Sequence, residues 1–71
     1  MPFKALNVKN QFLGTIRNII EGPVVSEIEV NTYTGFIVTS VITTSSVKEL
    51  GLHLGQEVLA AVKATDVSIA I

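Results

Sequence analysis

The sequence predicts an all-β protein that contains one short helix. Residues 24–30 alternate between two sets of side chains with the period of two that is typical of a strand. Residues 36–43 are rich in β-branched side chains, which fit a pleated sheet. Helix signals occur at residues 46–51, between such segments, so strands are expected to form most of the fold.

The first half of the chain is expected to form three strands separated by turns. Residues 14–20 are predicted to form a strand that continues from residues 6–12 through a bend at Gly14. A turn at residues 21–23, which contains Gly and Pro, precedes the second strand. One face of that second strand carries Val24, Ser26, Ile28 and Val30. A further turn at residues 31–35 leads into the third strand.

A short helix follows the third strand. Ser46 and Glu49 have the spacing of a capping box, in which the serine caps the helix and the glutamate reaches back to its amide. Gly51 is well placed just past the helix end. Residues 56–63 and 67–71 are predicted to form two final strands. Five or six short strands with one helical turn predict a single domain, residues 1–71, folded as a small antiparallel barrel of the oligonucleotide/oligosaccharide-binding (OB) type.

Composition narrows the classes of function. The chain has no cysteine and one histidine, so disulfide bridges, thiolate metal sites and a histidine zinc cluster are excluded. Hydrophobic residues make up 48% of its 71 residues, although a chain this short buries only about 60% of its unfolded surface. No apolar run approaches the roughly 20 residues that span a membrane, so subunit association is the expected outlet for this surface.

The last predicted strand supports association. Residues 67–71 form an alternating apolar face without a charged residue, and an unprotected edge strand pairs readily with another chain. A homo-oligomer is therefore expected.

The charge balance disfavours anionic macromolecules as partners. The formal net charge is −1, so no global positive field gathers nucleic acid or anionic lipid. The few aromatic residues are too scattered to form a platform for stacking bases. No apolar signal core follows the start of the sequence, so a cytoplasmic location is expected.

Two places on the chain could bind an anion locally. Thr43 and Ser46 bring hydroxyl donors, three residues apart, to the junction of a strand with a helix N-terminus. Alternatively, these residues only cap the helix. Lys63 ends the uncharged residues 58–62, where a strand boundary would place its ammonium at the rim of the barrel. Alternatively, it is a solubilising strand end.

Two segments of the sequence resemble a known family. Residues 7–16 read NVKNQFLGTI, and residues 43–58 read TTSSVKELGLHLGQEV, followed closely by Lys63 and Ala64. They resemble the molbindin (Mop) family of TOBE-type oxyanion-binding domains. That family has a Ser-Ala-Arg-Asn-Gln segment leading to a Gly, then Thr-x-x-Ser-x-x-x-Leu-Gly-Leu-x-x-Gly-x-x-Val, then Lys-Ala or Lys-Ser before a last strand. The resemblance spans nearly the whole chain.

The resemblance implies a ligand and a set of site residues. The ligand is molybdate or tungstate, bound as the intact oxyanion, so no side chain coordinates the metal directly and no cofactor is needed. Lys63 would be the charged ligand, and Ala64 would contribute a backbone amide. The full implied set is Asn7, Val8, Lys9, Thr43, Ser46, Lys63 and Ala64. The resemblance also implies a homo-hexamer, a trimer of dimers, and a site shared between subunits would bring these donors together.

The sequence therefore predicts a non-enzymatic protein that stores or buffers molybdate or tungstate. No nucleophile–base pair, paired catalytic carboxylates or phosphate loop is visible. Two rival functions stay open. Asn7 stands where the family has a Ser, and this substitution is the reason to consider an accessory or regulatory module that has lost its anion site and binds a protein partner. A nucleic-acid-binding barrel is permitted by the fold class but opposed by the acidic balance.

Overall fold

Four antiparallel strands and one α-helix form the structure, a computed structural model that describes residues 10–71. In chain order the elements are β1 (Asn10–Glu21), β2 (Val25–Thr32), β3 (Ile37–Thr43), α1 (Thr44–Leu50) and β4 (Glu57–Val62), followed by a 3₁₀ turn (Ala64–Asp66). The strands lie in the order β3-β2-β1-β4, and every neighbouring pair is antiparallel. The sheet curls into a half-barrel, so the predicted all-β, OB-like fold with one short helix is confirmed.

The long strand β1 lies between two partners that are offset along its length. β4 pairs with its first half and β2 with its second half, and both partners pair with Gly14 and Thr15. A bulge between Ile16 and Asn18 shifts the register with β2, which increases the local twist. At Gly14 the backbone of β2 comes so close that a Cβ atom would collide with the carbonyl oxygen of Asn31. The predicted continuous strand through Gly14 is confirmed within the described residues.

The hydrophobic core lies inside the curl of the sheet. Its buried hydrophobic residues are Ile16, Ile28, Val30 and Val47. On β2 the predicted face is confirmed at Ser26, Ile28 and Val30, which are all buried. The prediction is wrong for Val24, since this residue precedes the strand and is 71% exposed. Thr32, at the end of β2, is buried on the same face instead.

Helix α1 begins three residues earlier than the capping box predicts. Thr43 is the N-cap: its backbone is extended, and its hydroxyl oxygen accepts a hydrogen bond from the amide of Ser46 at 3.2 Å. The predicted capping box of Ser46 with Glu49 is therefore wrong, because the strand pairing ends where Thr43 meets Val25 and the helix starts at once. Gly51 ends the helix in the left-handed conformation, at φ 65°, as predicted. No helix in the described part of the chain is long and apolar enough to cross a membrane.

The two predicted strands at the end of the chain have different outcomes. β4 forms within the predicted residues 56–63. Residues 67–71 form no strand, and Ile69 is 87% exposed. The 3₁₀ turn redirects the chain after β4, with the amide of Asp66 donating to the carbonyl of Lys63 at 2.9 Å. The terminal segment has no strand partner here, so residues 10–71 contain four strands rather than the five or six predicted.

Candidate anion site

The turn from β3 into α1 brings together the two hydroxyl residues that the sequence predicts as ligands. The Thr43 hydroxyl donates to Oγ of Ser46 at 2.7 Å. The same Thr43 oxygen accepts from the hydroxyl of Ser45 at 3.3 Å, in addition to the Ser46 amide. Because Ser46 Oγ accepts from Thr43, the hydrogen of its own hydroxyl can be donated outward, whereas the Thr43 hydroxyl would have to turn away from Ser46 to donate to an anion. These hydroxyl contacts are exposed, so an anion in solution can reach them.

Buried hydroxyls hold this turn against the hairpin of β1 and β2. Thr44, only 7% exposed, donates its hydroxyl to the carbonyl of Gly22 at 2.7 Å and its amide to the carbonyl of Val24 at 2.8 Å. Ser26 Oγ lies 2.7 Å from Thr44 Oγ1. Neither Ser26 nor Thr44 belongs to the predicted set. The available signal was a serine among apolar residues on one face of β2.

Lys63 and Ala64 lie together at another part of the sheet. Lys63 follows Val62, the last residue of β4, which pairs with Asn10 at the start of β1. The Lys63 residue is exposed, and no carboxylate forms an ion pair with it among residues 10–71. Ala64 begins the 3₁₀ turn, and its amide has no acceptor within the described residues. Lys63 therefore places a cation next to a backbone amide that has no acceptor among residues 10–71.

The two halves of the predicted donor set do not converge within one chain. Thr43 pairs with Val25, next to the end of β1, whereas Lys63 lies next to the start of β1. Since β1 has 12 residues, its ends are about 36 Å apart along the strand. Thr43 therefore lies beside Ser46, and Lys63 beside Ala64, but the two pairs lie far apart on the sheet. The remaining predicted residues, Asn7, Val8 and Lys9, lie outside the described residues.

Other polar groups form surface contacts rather than a second site. In the part of the chain that the structure describes, no group of three His, Cys, Asp or Glu residues could hold a metal ion. His53, in the turn after α1, places Nδ1 3.1 Å from the carbonyl oxygen of Gly51. Tyr33 donates its hydroxyl to Oε2 of Glu57 at 2.8 Å. This hydrogen bond raises the pKa of Tyr33, and desolvation and the charge of Glu57 add to the effect.

A largely apolar groove of about 580 Å³ opens between β3 and β4, on the inner side of the half-barrel. Ile42 on one edge and Val58 on the other line it. Glu57 is the one charged side chain among the described residues of its lining, and no cation faces it. An oxyanion would lose its hydration there without gaining a hydrogen bond from a positively charged group. The groove is therefore the gap that the curled sheet leaves open, not the anion site.

The chain is similar to known proteins over nearly its whole length. The TOBE domain model matches residues 7–69. Molybdenum-pterin-binding protein 2 of Clostridium pasteurianum is 37% identical over 65 residues, which cover 92% of this chain and 96% of that protein. The sequence similarity therefore extends over nearly the full length of both proteins.

Two solved structures share the fold. A molybdate-binding protein from Sporomusa ovata gives a TM-score of 0.87 at 29% identity, over 96% of this chain and 100% of that one. The cytoplasmic molybdate-binding protein ModG, in a crystal form with molybdate bound, gives a TM-score of 0.80 at 34% identity. That match covers 86% of this chain and 43% of the ModG chain. Because the family model and the relatives match almost the whole sequence, the chain belongs to the TOBE domain family, among its small Mop-type members.

Proposed function

We propose that this protein binds molybdate or tungstate at sites shared between the chains of a homo-oligomer, and that it stores or buffers the anion in the cytoplasm. One observation carries the proposal. The fold matches the Sporomusa ovata molybdate-binding protein over all of that chain, at a TM-score of 0.87. The cytoplasmic location has the support of ModG, a cytoplasmic molybdate-binding protein with the same fold.

The chemistry of the donors suits a tetrahedral dianion. Molybdate presents four oxygens, which need several neutral donors and about one positive charge held in a fixed arrangement. Thr43 and Ser46 supply hydroxyls at one end of the sheet, and Lys63 and Ala64 supply an ammonium and an amide at the other. The remaining proposed donors precede β1, namely the Asn7 side chain and the backbone at Val8 and Lys9. The metal stays inside its oxyanion, so neither a metal-coordinating side chain nor a cofactor is required.

The opposite placement of the two donor pairs supports a site shared between chains. The two donor pairs lie next to opposite ends of the 12-residue strand β1, so a single oxyanion is not expected to contact both pairs of one chain. A second chain that places its Lys63 end against the Thr43 turn of the first would complete the donor set. The exposed apolar residues 67–71 favour the same assembly, since contact with another chain would remove them from water. We propose a homo-hexamer, built as a trimer of dimers.

The proposed role is binding rather than catalysis. Molybdenum-pterin-binding protein 2 of Clostridium pasteurianum carries the name of a binding protein, and the net charge of −1 gives no support for a nucleic acid or a membrane surface as partner. Discrimination between molybdate and sulfate would rest on the size of the cavity, because both anions carry the same charge. Storage then requires that the protein release the anion when its free concentration falls.

Calorimetric titration tests the proposal directly. Molybdate, tungstate, sulfate and phosphate are titrated in parallel into the full chain, and light scattering gives the mass of the assembly under the same conditions. We expect saturable binding of molybdate and tungstate by an oligomer, with much weaker binding of sulfate. An absence of preference over sulfate would overturn the proposal and favour the protein-interaction module.

A further inference from the structure

The hydroxyls of Ser26 and Thr44 form a hydrogen-bonded chain with a defined direction. Thr44 Oγ1 lies 2.7 Å from the carbonyl oxygen of Gly22, which can only accept, so the Thr44 hydroxyl hydrogen points there. The Ser26 hydroxyl, 2.7 Å from the same Thr44 oxygen, must then be the donor in that contact. The chain of hydrogen bonds therefore runs from β2, through the first residue of α1, to the loop after β1.

Thr44 is the residue that ties this turn to the hairpin of β1 and β2 by side-chain hydrogen bonds. Its side chain bonds Ser26 and Gly22, and its amide bonds Val24. By contrast, the hydroxyl contacts of Thr43 and Ser46 on either side of it are exposed and remain within the turn. Thr43 also pairs with Val25 on β2, and Val47 is buried in the core, so Thr44 acts together with these two contacts to set the position of the Thr43 and Ser46 hydroxyls relative to the sheet.

We propose that Thr44, held by Ser26, positions the hydroxyls of Thr43 and Ser46 for the oxyanion, an inference that rests on the proposed function. Thr44 is 7% exposed and its hydroxyl is fully engaged, so it acts through its neighbours and not as a ligand. A fully satisfied buried network specifies one geometry. Donors that are already in place lose less conformational freedom when the anion binds, which favours binding.

Two substitutions at Thr44 separate the hydroxyl from the shape of the side chain. Thr44→Val keeps the branched shape and removes the hydroxyl, whereas Thr44→Ser keeps the hydroxyl. We expect molybdate binding to weaken by about tenfold in Thr44→Val and by less than about twofold in Thr44→Ser. Without ligand, hydrogen exchange at the Ser46 amide, which bonds the Thr43 hydroxyl, should be faster in Thr44→Val.

A matched control distinguishes positioning from general stability. Ile28→Val removes a buried methyl group from the same strand as Ser26 and leaves every side-chain hydrogen bond of the turn in place, so it should lower the melting temperature and leave molybdate affinity unchanged. Parental affinity in Thr44→Val, or an equal loss of affinity in Ile28→Val, would overturn the inference. If the parent binds no molybdate, the proposed function fails instead. The ligand-free exchange rate at Ser46 then decides whether Thr44 holds the turn, and an unchanged rate refutes that role.

Discussion

Replacing Lys63 with alanine should weaken molybdate binding by roughly tenfold to a hundredfold. The Lys63 ammonium has no carboxylate partner among residues 10–71, so its charge is available to a ligand. A hydrogen bond to a charged group contributes about 1.5–3 kcal/mol. Since 1.4 kcal/mol corresponds to about a tenfold change in affinity, this range gives the expected loss. Lys63 is exposed, so the fold should survive the substitution.

Lys48→Ala is the matched control for this experiment. The Lys48 side chain is 73% exposed, and its ammonium lies 3.8 Å from Oε1 of Glu21. A screened surface charge of this kind contributes little, so we expect the molybdate affinity to change by less than about twofold. Calorimetric titration of the parent and both variants measures the effect. Circular dichroism and light scattering establish that the fold and the assembly are unchanged.

The possible results distinguish a specific contact of Lys63 with the anion from a general effect of charge. Equal affinity of the parent and Lys63→Ala would show that Lys63 is not the charged ligand. An equal loss in Lys63→Ala and Lys48→Ala would point to the overall charge of the protein instead of a specific contact. If the parent itself fails to prefer molybdate over sulfate, the assignment of these residues to an oxyanion site is wrong.

Three further predictions concern the fold. Gly14→Ala forces a Cβ atom against the backbone of β2 and should lower the free energy of unfolding by about 1–3 kcal/mol, measured with denaturant; an unchanged midpoint would contradict the close approach. Deleting residues 67–71 should yield aggregated or unfolded protein by light scattering and circular dichroism, and a soluble folded monomer would show that the segment is dispensable. Tyr33, the one tyrosine of the chain, should titrate above pH 10.0 in an ultraviolet titration, and Glu57→Ala should lower that midpoint. Because the hydrogen bond favours the neutral phenol, its stabilising effect is complete below the unfolded pKa and is lost as the pH rises through the raised folded pKa; identical midpoints would exclude the contact.

Local patterns predict the parts of the fold that depend on neighbours in sequence. Alternation identifies the buried face of β2, because a strand turns successive side chains to opposite sides. Gly51 marks the helix end, because glycine adopts the left-handed conformation without strain. The helix start is harder, since residues 43–46 are four hydroxyl residues in a row and each is a good cap. The pairing of Thr43 with Val25, across 18 positions, decides between them.

The candidate site likewise contains contacts that the sequence predicts and contacts that it does not. The contact between Thr43 and Ser46 follows from a spacing of one helical turn, so the sequence predicts it. The distance from that pair to Lys63 depends on the order and register of strands that are remote in sequence. The contact of Ser26 with Thr44 likewise joins residues that are 18 positions apart. No local pattern encodes either arrangement.

The separation of the donor pairs links the two parts of the proposed function. In a single chain the apolar terminal segment is exposed to water, and Lys63 lies far from the hydroxyls of Thr43 and Ser46. Association of chains in the proposed arrangement would both cover the apolar segment and bring Lys63 of one chain to the hydroxyls of another. An anion that contacts two chains binds the assembly more tightly than the separate chains, and so stabilises the assembly by mass action. Since such coupling is reciprocal, assembly raises affinity for the anion by the same factor by which the anion favours assembly. For a small domain without disulfides, the ligand is then part of what holds the oligomer together.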